Sequence, residues 1–223
     1  MFVPNFDLYV NYEDSIKNFQ GIAVFKKNNK TLIYNLDAHY KNLSFDRVDF
    51  CFSGKTLPIP EITVIELSKE QLLLKKQFLQ QDNSVSYSAF LSTIKNIPFV
   101  CADLDKKQML DILKKRLPNN NLIDEDVIKA LNSGGPFTTK NIYNFYANEI
   151  VRYGRDPFMI KNIATALNKY NTVFASFGHG HYCCQRLILE DMLGEPEYIK
   201  EVPNTRGDFS DITLNPIDLG VEL

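Results

Sequence analysis

NTVFASFGHGHYCCQ, Asn171 to Gln185, opens as an apolar run and closes as the start of a helix. Val173-Phe174-Ala175-Ser176-Phe177 is β-branched and aromatic at its start, which predicts a buried strand. Gly178, His179, Gly180 and His181 end it, and glycines there let the backbone turn sharply and let a ligand come close. From Tyr182 to Leu193 the apolar residues Leu187, Ile188, Met192 and Leu193 fall at helical spacing. The two histidines therefore sit at a strand-to-helix turn. In α/β folds such a turn lies at the carboxyl end of a strand, where ligands bind. The chain has 3 histidines in all, and the third, His39, follows another apolar run from Thr31 to Ala38. The pattern puts all three on one rim of a sheet.

Working outward, two further apolar runs end in carboxylates. Ile62 to Leu67 carries Glu66 near its end, and Ile97 to Ala102 is followed by Asp103. A carboxylate at a strand end is either solvated past the sheet edge or part of a site. Between the strands lie helical patterns. Ser68 caps one that runs to about Gln81, with Glu70 in its first turn. Others cover Tyr87 to Lys95, Asp105 to Leu117, and Leu122 to Leu131 with Asp124 as a cap. Gly134-Gly135-Pro136 breaks the chain. A long helical stretch starts near Thr139, pauses at Gly154, and resumes from Phe158 to Tyr170, with Asp156 suited to its cap and Pro157 to its first turn. Upstream, Ile22 to Phe25 and Thr31 to Asn35 flank the polar turn Lys26 to Lys30 and read as a hairpin.

This alternation predicts an α/β fold: a central, mainly parallel sheet flanked by helices, with the site at the carboxyl ends of its strands. Residues 1–30 are expected to be an N-terminal hairpin or extension, 31–200 the α/β domain, and 201–223 a polar C-terminal tail.

Composition narrows the function classes. The chain has 223 residues and a formal net charge of -2, with no basic face for a broad nucleic-acid contact. No 18-residue apolar run marks a membrane span, and the first residues lack the pattern of a signal peptide, so a cytoplasmic protein is expected. The 4 cysteines, Cys51, Cys101, Cys183 and Cys184, form no Cys-x-x-Cys pair and read as small buried residues.

The strand ends together carry Asp37 and His39, Glu66, Asp103, and His179 and His181. Such a set can bind a divalent metal, can run acid–base chemistry with carboxylates orienting imidazoles, or can ligate haem iron through histidine. Arg155 and Asp156 read either as an exposed Arg and a helix cap, or as an Arg holding an anionic group or a site carboxylate bidentately.

The run Arg155-Asp156-Pro157-Phe158-Met159-Ile160-Lys161-Asn162-Ile163, followed by a strand ending in Gly178-His179-Gly180-His181, resembles the later half of the TraB/Tiki, erythromycin-esterase-like and ChaN haem-uptake superfamily. Asp37-Ala38-His39 and Glu66 match that group's first- and second-strand motifs in order, although Leu36 and Asp37 stand where it carries Gly and Glu. The resemblance implies a metal-dependent peptidase, a metal-independent esterase or a haem-binding protein. On this basis the expected activity is hydrolysis of a small-molecule or peptide substrate. His39, Glu66, Arg155 and His181 would be catalytic, and Asp37, His39, Glu66, His179 and His181 would be ligands for zinc, manganese or cobalt if a metal binds. Asp103, Asp156, Gly178 and Gly180 would complete the site. Haem binding, or a degenerate interaction protein with no perturbed histidine, are the alternatives.

Overall fold

The computed structural model describes residues 1–11, 21–37, 41–75, 84–116, 146–203 and 220–223. After a single 3₁₀ turn at Phe6–Leu8, the chain forms β1 (Gly21–Lys27), β2 (Lys30–Asp37), α1 (Lys41–Phe52), β3 (Ile62–Ile65), α2 (Lys69–Lys75), α3 (Ser84–Ile94), β4 (Phe99–Cys101) and α4 (Lys106–Arg116). A π-helix (Tyr146–Arg155) then runs straight into α5 (Asp156–Lys169), followed by β5 (Thr172–Gly178), α6 (His179–Leu193) and β6 (Glu197–Ile199).

The strands make one sheet in the order β4-β3-β5-β2-β1-β6. The four strands β4, β3, β5 and β2 are mutually parallel, while β1 is antiparallel to both of its neighbours. β5 is buried at all seven positions, as a strand covered on both faces must be. Side-chain alternation divides the core in two. On one face Leu32, Tyr34 and Leu36 of β2 and Val173, Ala175 and Phe177 of β5 pack against Met159, Ile160 and Ile163 of α5 and Ile188 and Leu189 of α6. On the other, Ile33, Ile65, Phe99 and Phe174 meet Phe45 and Val48 of α1 and Val85 and Phe90 of α3. Helices cover both faces of the sheet, and the carboxyl ends of β3, β4 and β5 are where such folds place a site.

The expected hairpin is present, with β1 and β2 joined by Asn28 and Asn29 alone. Both have positive φ, 49° and 56°. That is the two-residue turn whose twist matches paired strands. Asn tolerates this region and Gly prefers it. Asn29→Gly is expected to leave stability unchanged or raise it by a few tenths of a kcal/mol, and Asn29→Val to lower it by roughly 1–2 kcal/mol, read by thermal denaturation. Gly21 at the other end of β1 has φ of 110°, and a Cβ there would sit 2.2 Å from the Ile199 carbonyl oxygen. Only glycine lets β6 approach β1 at that point.

Several expectations meet a different outcome. Past Gly194 a strand forms that the sequence pattern did not mark: Glu197–Ile199 pairs with β1, because Tyr198 and Ile199 have apolar surface to bury against the sheet edge. At the opposite edge the Val221 amide donates to the Phe99 carbonyl, so the two described ends of the last segment cover the two edges of the sheet. The helix does not pause at Gly154. It continues as a π-helix, with Gly154 packed against Ile112 and Leu104 where a Cβ would meet Ile112 at 2.7 Å. Ser68 caps α2 as expected, its Oγ accepting from the Gln71 amide while Gln71 Oε1 accepts from the Ser68 amide. The helical readings at residues 122–131 and 139–145 lie outside the described residues. Among the described residues no helix is long and apolar enough to cross a membrane.

Candidate active site at the carboxyl edge of the sheet

β3 ends at Ile65, and its last ladder contact places the Glu66 amide on the Ser176 carbonyl of β5 at 3.1 Å. The Glu66 side chain then turns across the end of β5. Its Oε2 accepts from the Gly178 amide at 2.5 Å, where β5 gives way to α6. Its Oε1 accepts from two cationic donors, Arg155 Nη2 at 2.8 Å and His181 Nε2 at 3.0 Å. Asp103, two residues past β4, takes Arg155 in a two-pronged grip: Nε to Oδ1 at 2.8 Å and Nη2 to Oδ2 at 2.7 Å. The Leu104 amide donates to the same Oδ1 at 2.8 Å and fixes the carboxylate.

The other side of His181 faces α5. Nδ1 lies 2.5 Å from Asp156 Oδ1, and Asp156 is completely buried. Gln185, one helical turn beyond His181, donates its amide to that oxygen at 2.7 Å, and Tyr34 donates its hydroxyl to Gln185 Oε1 at 3.1 Å. Tyr9 donates its hydroxyl to Asp156 Oδ2 at 2.6 Å. The expectation that Asp156 caps α5 is therefore corrected. Arg155 occupies the cap position in helical conformation with no side-chain cap, because the π-helix runs into α5 without a break. The Asp156 carboxylate is spent on His181, Gln185 and Tyr9 instead. As neighbours on one helix, Arg155 and Asp156 point about 100° apart and hold the Glu66–His181 pair from two sides.

The electrostatics follow from this geometry. Burial alone would lower the His181 pKa, but the charges of Glu66 and Asp156 outweigh burial and the opposing Arg155, and raise it from 6.5 to about 10. His181 is thus an imidazolium at neutral pH, donating from both ring nitrogens. Burial would raise the Glu66 pKa, yet the charge and hydrogen bond of His181, then Arg155 and the Gly178 amide, hold it well below the usual carboxylate range. Three carboxylates, Glu66, Asp103 and Asp156, face two cations, Arg155 and His181, so the cluster carries one negative charge in excess.

The structure thus brings together Glu66, Asp103, Arg155, Asp156, Gly178 and His181. His179 and Gly180, in the first turn of α6, stay outside the hydrogen-bonded chain. His179 rests against Cys183, with Sγ 3.5 Å from Nε2. Asp37 ends β2 opposite Gly178 and is buried. Strand alternation turns it to the α1 face, where its charge supports the Arg47 guanidinium, whose pKa burial lowers. His39 lies outside the described residues. Gln185, Tyr34 and Tyr9 were missed by sequence reasoning. The signal for Gln185 was a polar residue four positions from His181 on the buried face of a helix; no local signal marked Tyr9.

The donor set tests the expected zinc, manganese, cobalt or haem. Among the described residues no three of His, Cys, Asp and Glu converge on a point that could hold a metal ion. A cation taking Glu66 Oε1 and His181 Nε2 would also face the Arg155 guanidinium on that oxygen. Among the described residues Glu66 Oε1 and both ring nitrogens of His181 are thus already engaged by protein groups, while His39, an expected ligand, lies outside the described residues. Comparison with family models, with curated proteins and with solved structures finds no match for this chain.

Proposed function

We propose that the chain is a hydrolase of the ester- or peptide-cleaving kind, with its reaction centre at the Glu66–His181–Arg155 junction. One observation carries this reading: two cationic N–H donors, His181 Nε2 and Arg155 Nη2, converge on the single oxygen Glu66 Oε1 at the strand ends. A substrate carbonyl oxygen that takes the place of Oε1 meets two preorganised donors, which is the arrangement that stabilises a developing oxyanion. The displaced Glu66 carboxylate loses the donors that weaken it as a base. It then accepts the proton of a water attacking the carbonyl carbon, and passes that proton to the leaving group as the tetrahedral intermediate collapses. Asp156 keeps the imidazole charged and oriented throughout. Glu66, rather than a histidine, thus takes the water-activating role.

Two considerations support this over a degenerate interaction protein. That alternative expects no perturbed histidine, whereas His181 is raised to about 10. A buried cluster with excess charge also costs stability, and such clusters concentrate where chemistry needs them. The superfamily that the Arg155–Ile163 run resembles includes esterases and peptidases as well as haem-binding proteins, and the hydrolase reading falls within that range. We place the protein in the cytoplasm on its four free thiols, at Cys51, Cys101, Cys183 and Cys184.

The test is a panel of p-nitrophenyl esters and peptide anilides assayed in chelator. Wild type is expected to turn over one of them, and Glu66→Gln and His181→Gln to lose about 10²–10³-fold in kcat with the fold intact by circular dichroism. Full activity in both variants would refute the assignment. So would activity that chelator abolishes and a divalent metal restores.

A further inference from the structure

The buried Asp156 carboxylate is completed by a segment far away in the chain. Its Oδ1 serves His181 and Gln185; its Oδ2 serves Tyr9, 147 residues distant. Toward Asp156 the Tyr9 hydroxyl is the donor, since burial and then the charge of Asp156 hold its pKa far above the ordinary tyrosine value. The segment bearing it is fixed at three points. The Phe2 amide donates to Asn168 Oδ1 at 2.7 Å, and the Phe2 carbonyl accepts from Asn168 Nδ2 at 3.1 Å. The Val10 amide donates to the Cys184 carbonyl at 3.2 Å, and Arg152 donates to Asn11 Oδ1 at 2.7 Å. These anchors lie on α5, α6 and the π-helix, the three elements that deliver Asp156, His181 and Arg155. The segment thus crosses the outer side of the site and inserts one polar atom into it.

We infer that Tyr9 is a positioning residue, whose hydroxyl sets the direction and hydrogen-bonding state of Asp156 and, through it, the Nδ1 proton of His181. The hydrolase reading supplies the reason for such tuning, but the test stands apart from activity. Without the hydroxyl, Asp156 Oδ2 loses a donor in a site closed to solvent, and the carboxylate leans harder on the His181 proton. The Nδ1–H···Oδ1 bond shortens, which moves its proton resonance downfield.

The experiment is proton–nitrogen NMR of histidine-labelled full-length chain, comparing wild type, Tyr9→Phe and Asn168→Ala. Asn168→Ala cuts the anchor at Phe2 without touching Asp156, and so reports what looser attachment of the segment does by itself. The expected result is a His181 Nδ1–H resonance in wild type that shifts downfield by about 1 ppm or more in Tyr9→Phe and stays in place in Asn168→Ala. An unmoved resonance in Tyr9→Phe overturns the inference, and equal shifts in both variants reduce Tyr9 to a structural anchor. Should Tyr9→Phe fail to fold, Tyr9→Trp in place of it keeps the bulk and an N–H donor, and recovery of the wild-type resonance there supports the assignment while its absence counts against it. Failure of every hydrolase substrate would leave these outcomes unchanged, so the two readings fail separately.

Discussion

Arg155→Met is expected to lower unfolding free energy by about 3–5 kcal/mol, because it strands two buried carboxylates at once. The side chains are 12% exposed for Arg155, 11% for Glu66 and 2% for Asp103, so water cannot take over the lost contacts cheaply. For a chain of this size the loss corresponds to a fall in Tm on the order of 10 °C. Arg155→Lys keeps the charge but has no planar fork to hold Asp103 through two nitrogens, and should lie between wild type and Arg155→Met. The pairing itself is tested by a second change. Asp103→Asn added to Arg155→Met removes one of the orphaned charges and is expected to recover part of the loss. Two changes whose costs simply added would mean that Arg155 and Asp103 do not stabilise each other. Differential scanning calorimetry on wild type, Arg155→Lys, Arg155→Met, Asp103→Asn and the double variant reads all of this directly. A fall below about 1 kcal/mol for Arg155→Met would show that the cluster does not hold α5 to the ends of β3 and β4.

Arg155 also shows how far the sequence reaches. The strand before the histidines was legible because Val173 to Phe177 can be buried on both faces only as a central strand, and β5 occupies Thr172–Gly178. Glu66 and Asp103 were legible as carboxylates closing apolar strands, since polar groups at such places need partners. Who those partners are was not legible. Arg155 could have been an exposed residue beside a cap, and only the sheet order β4-β3-β5 brings Asp103 and Glu66 to the same guanidinium. Asp156 is the sharper case. Its sequence position before Pro157 says cap, because Asp and Pro open many helices. The capping site is absent, since the π-helix upstream carries the chain into α5 without exposing a first turn. A wide helical turn leaves no mark in a periodicity search tuned to 3.6 residues. Tyr9 lies further still from any local rule, because its role depends on a contact across most of the chain. β6 escaped for a related reason: three residues, one exposed and two half-buried, carry too little pattern to register as a strand.

The stability of wild type is expected to fall as pH rises from about 6.5 to 9, and that of His181→Gln is not expected to follow it. His181 has its pKa raised from 6.5 to about 10 on folding, burial lowering it and the charges of Glu66 and Asp156 raising it more. A group raised in this way stabilises the fold fully below its unfolded pKa, and the contribution drains away as pH climbs through the folded one. Between the two values the native state keeps a proton that the unfolded chain has lost. The slope there approaches a loss of about 1.4 kcal/mol per pH unit, and the total is on the order of 3–5 kcal/mol. Glu66 acts in the opposite direction: its depressed pKa gives stability above about pH 4.5 that is lost as the solution becomes more acid. Wild type should therefore be most stable near pH 5–6.5. Buried thiols and phenols complicate the alkaline end. Burial pushes Cys101 up from 9.0 to about 11 and raises Tyr34 well above its ordinary value, so both favour unfolding beyond about pH 9. They are present in both proteins and cancel in the difference between wild type and His181→Gln. Urea denaturation at half-unit steps gives that difference curve. A curve flat from pH 6.5 to 9 would show that His181 is not held as an imidazolium, and the same result would remove the second cationic donor from the proposed oxyanion site. A descending curve instead means that the donor persists through neutral pH, so that His181 should add no acid–base step near its ordinary pKa to the pH profile of any activity found.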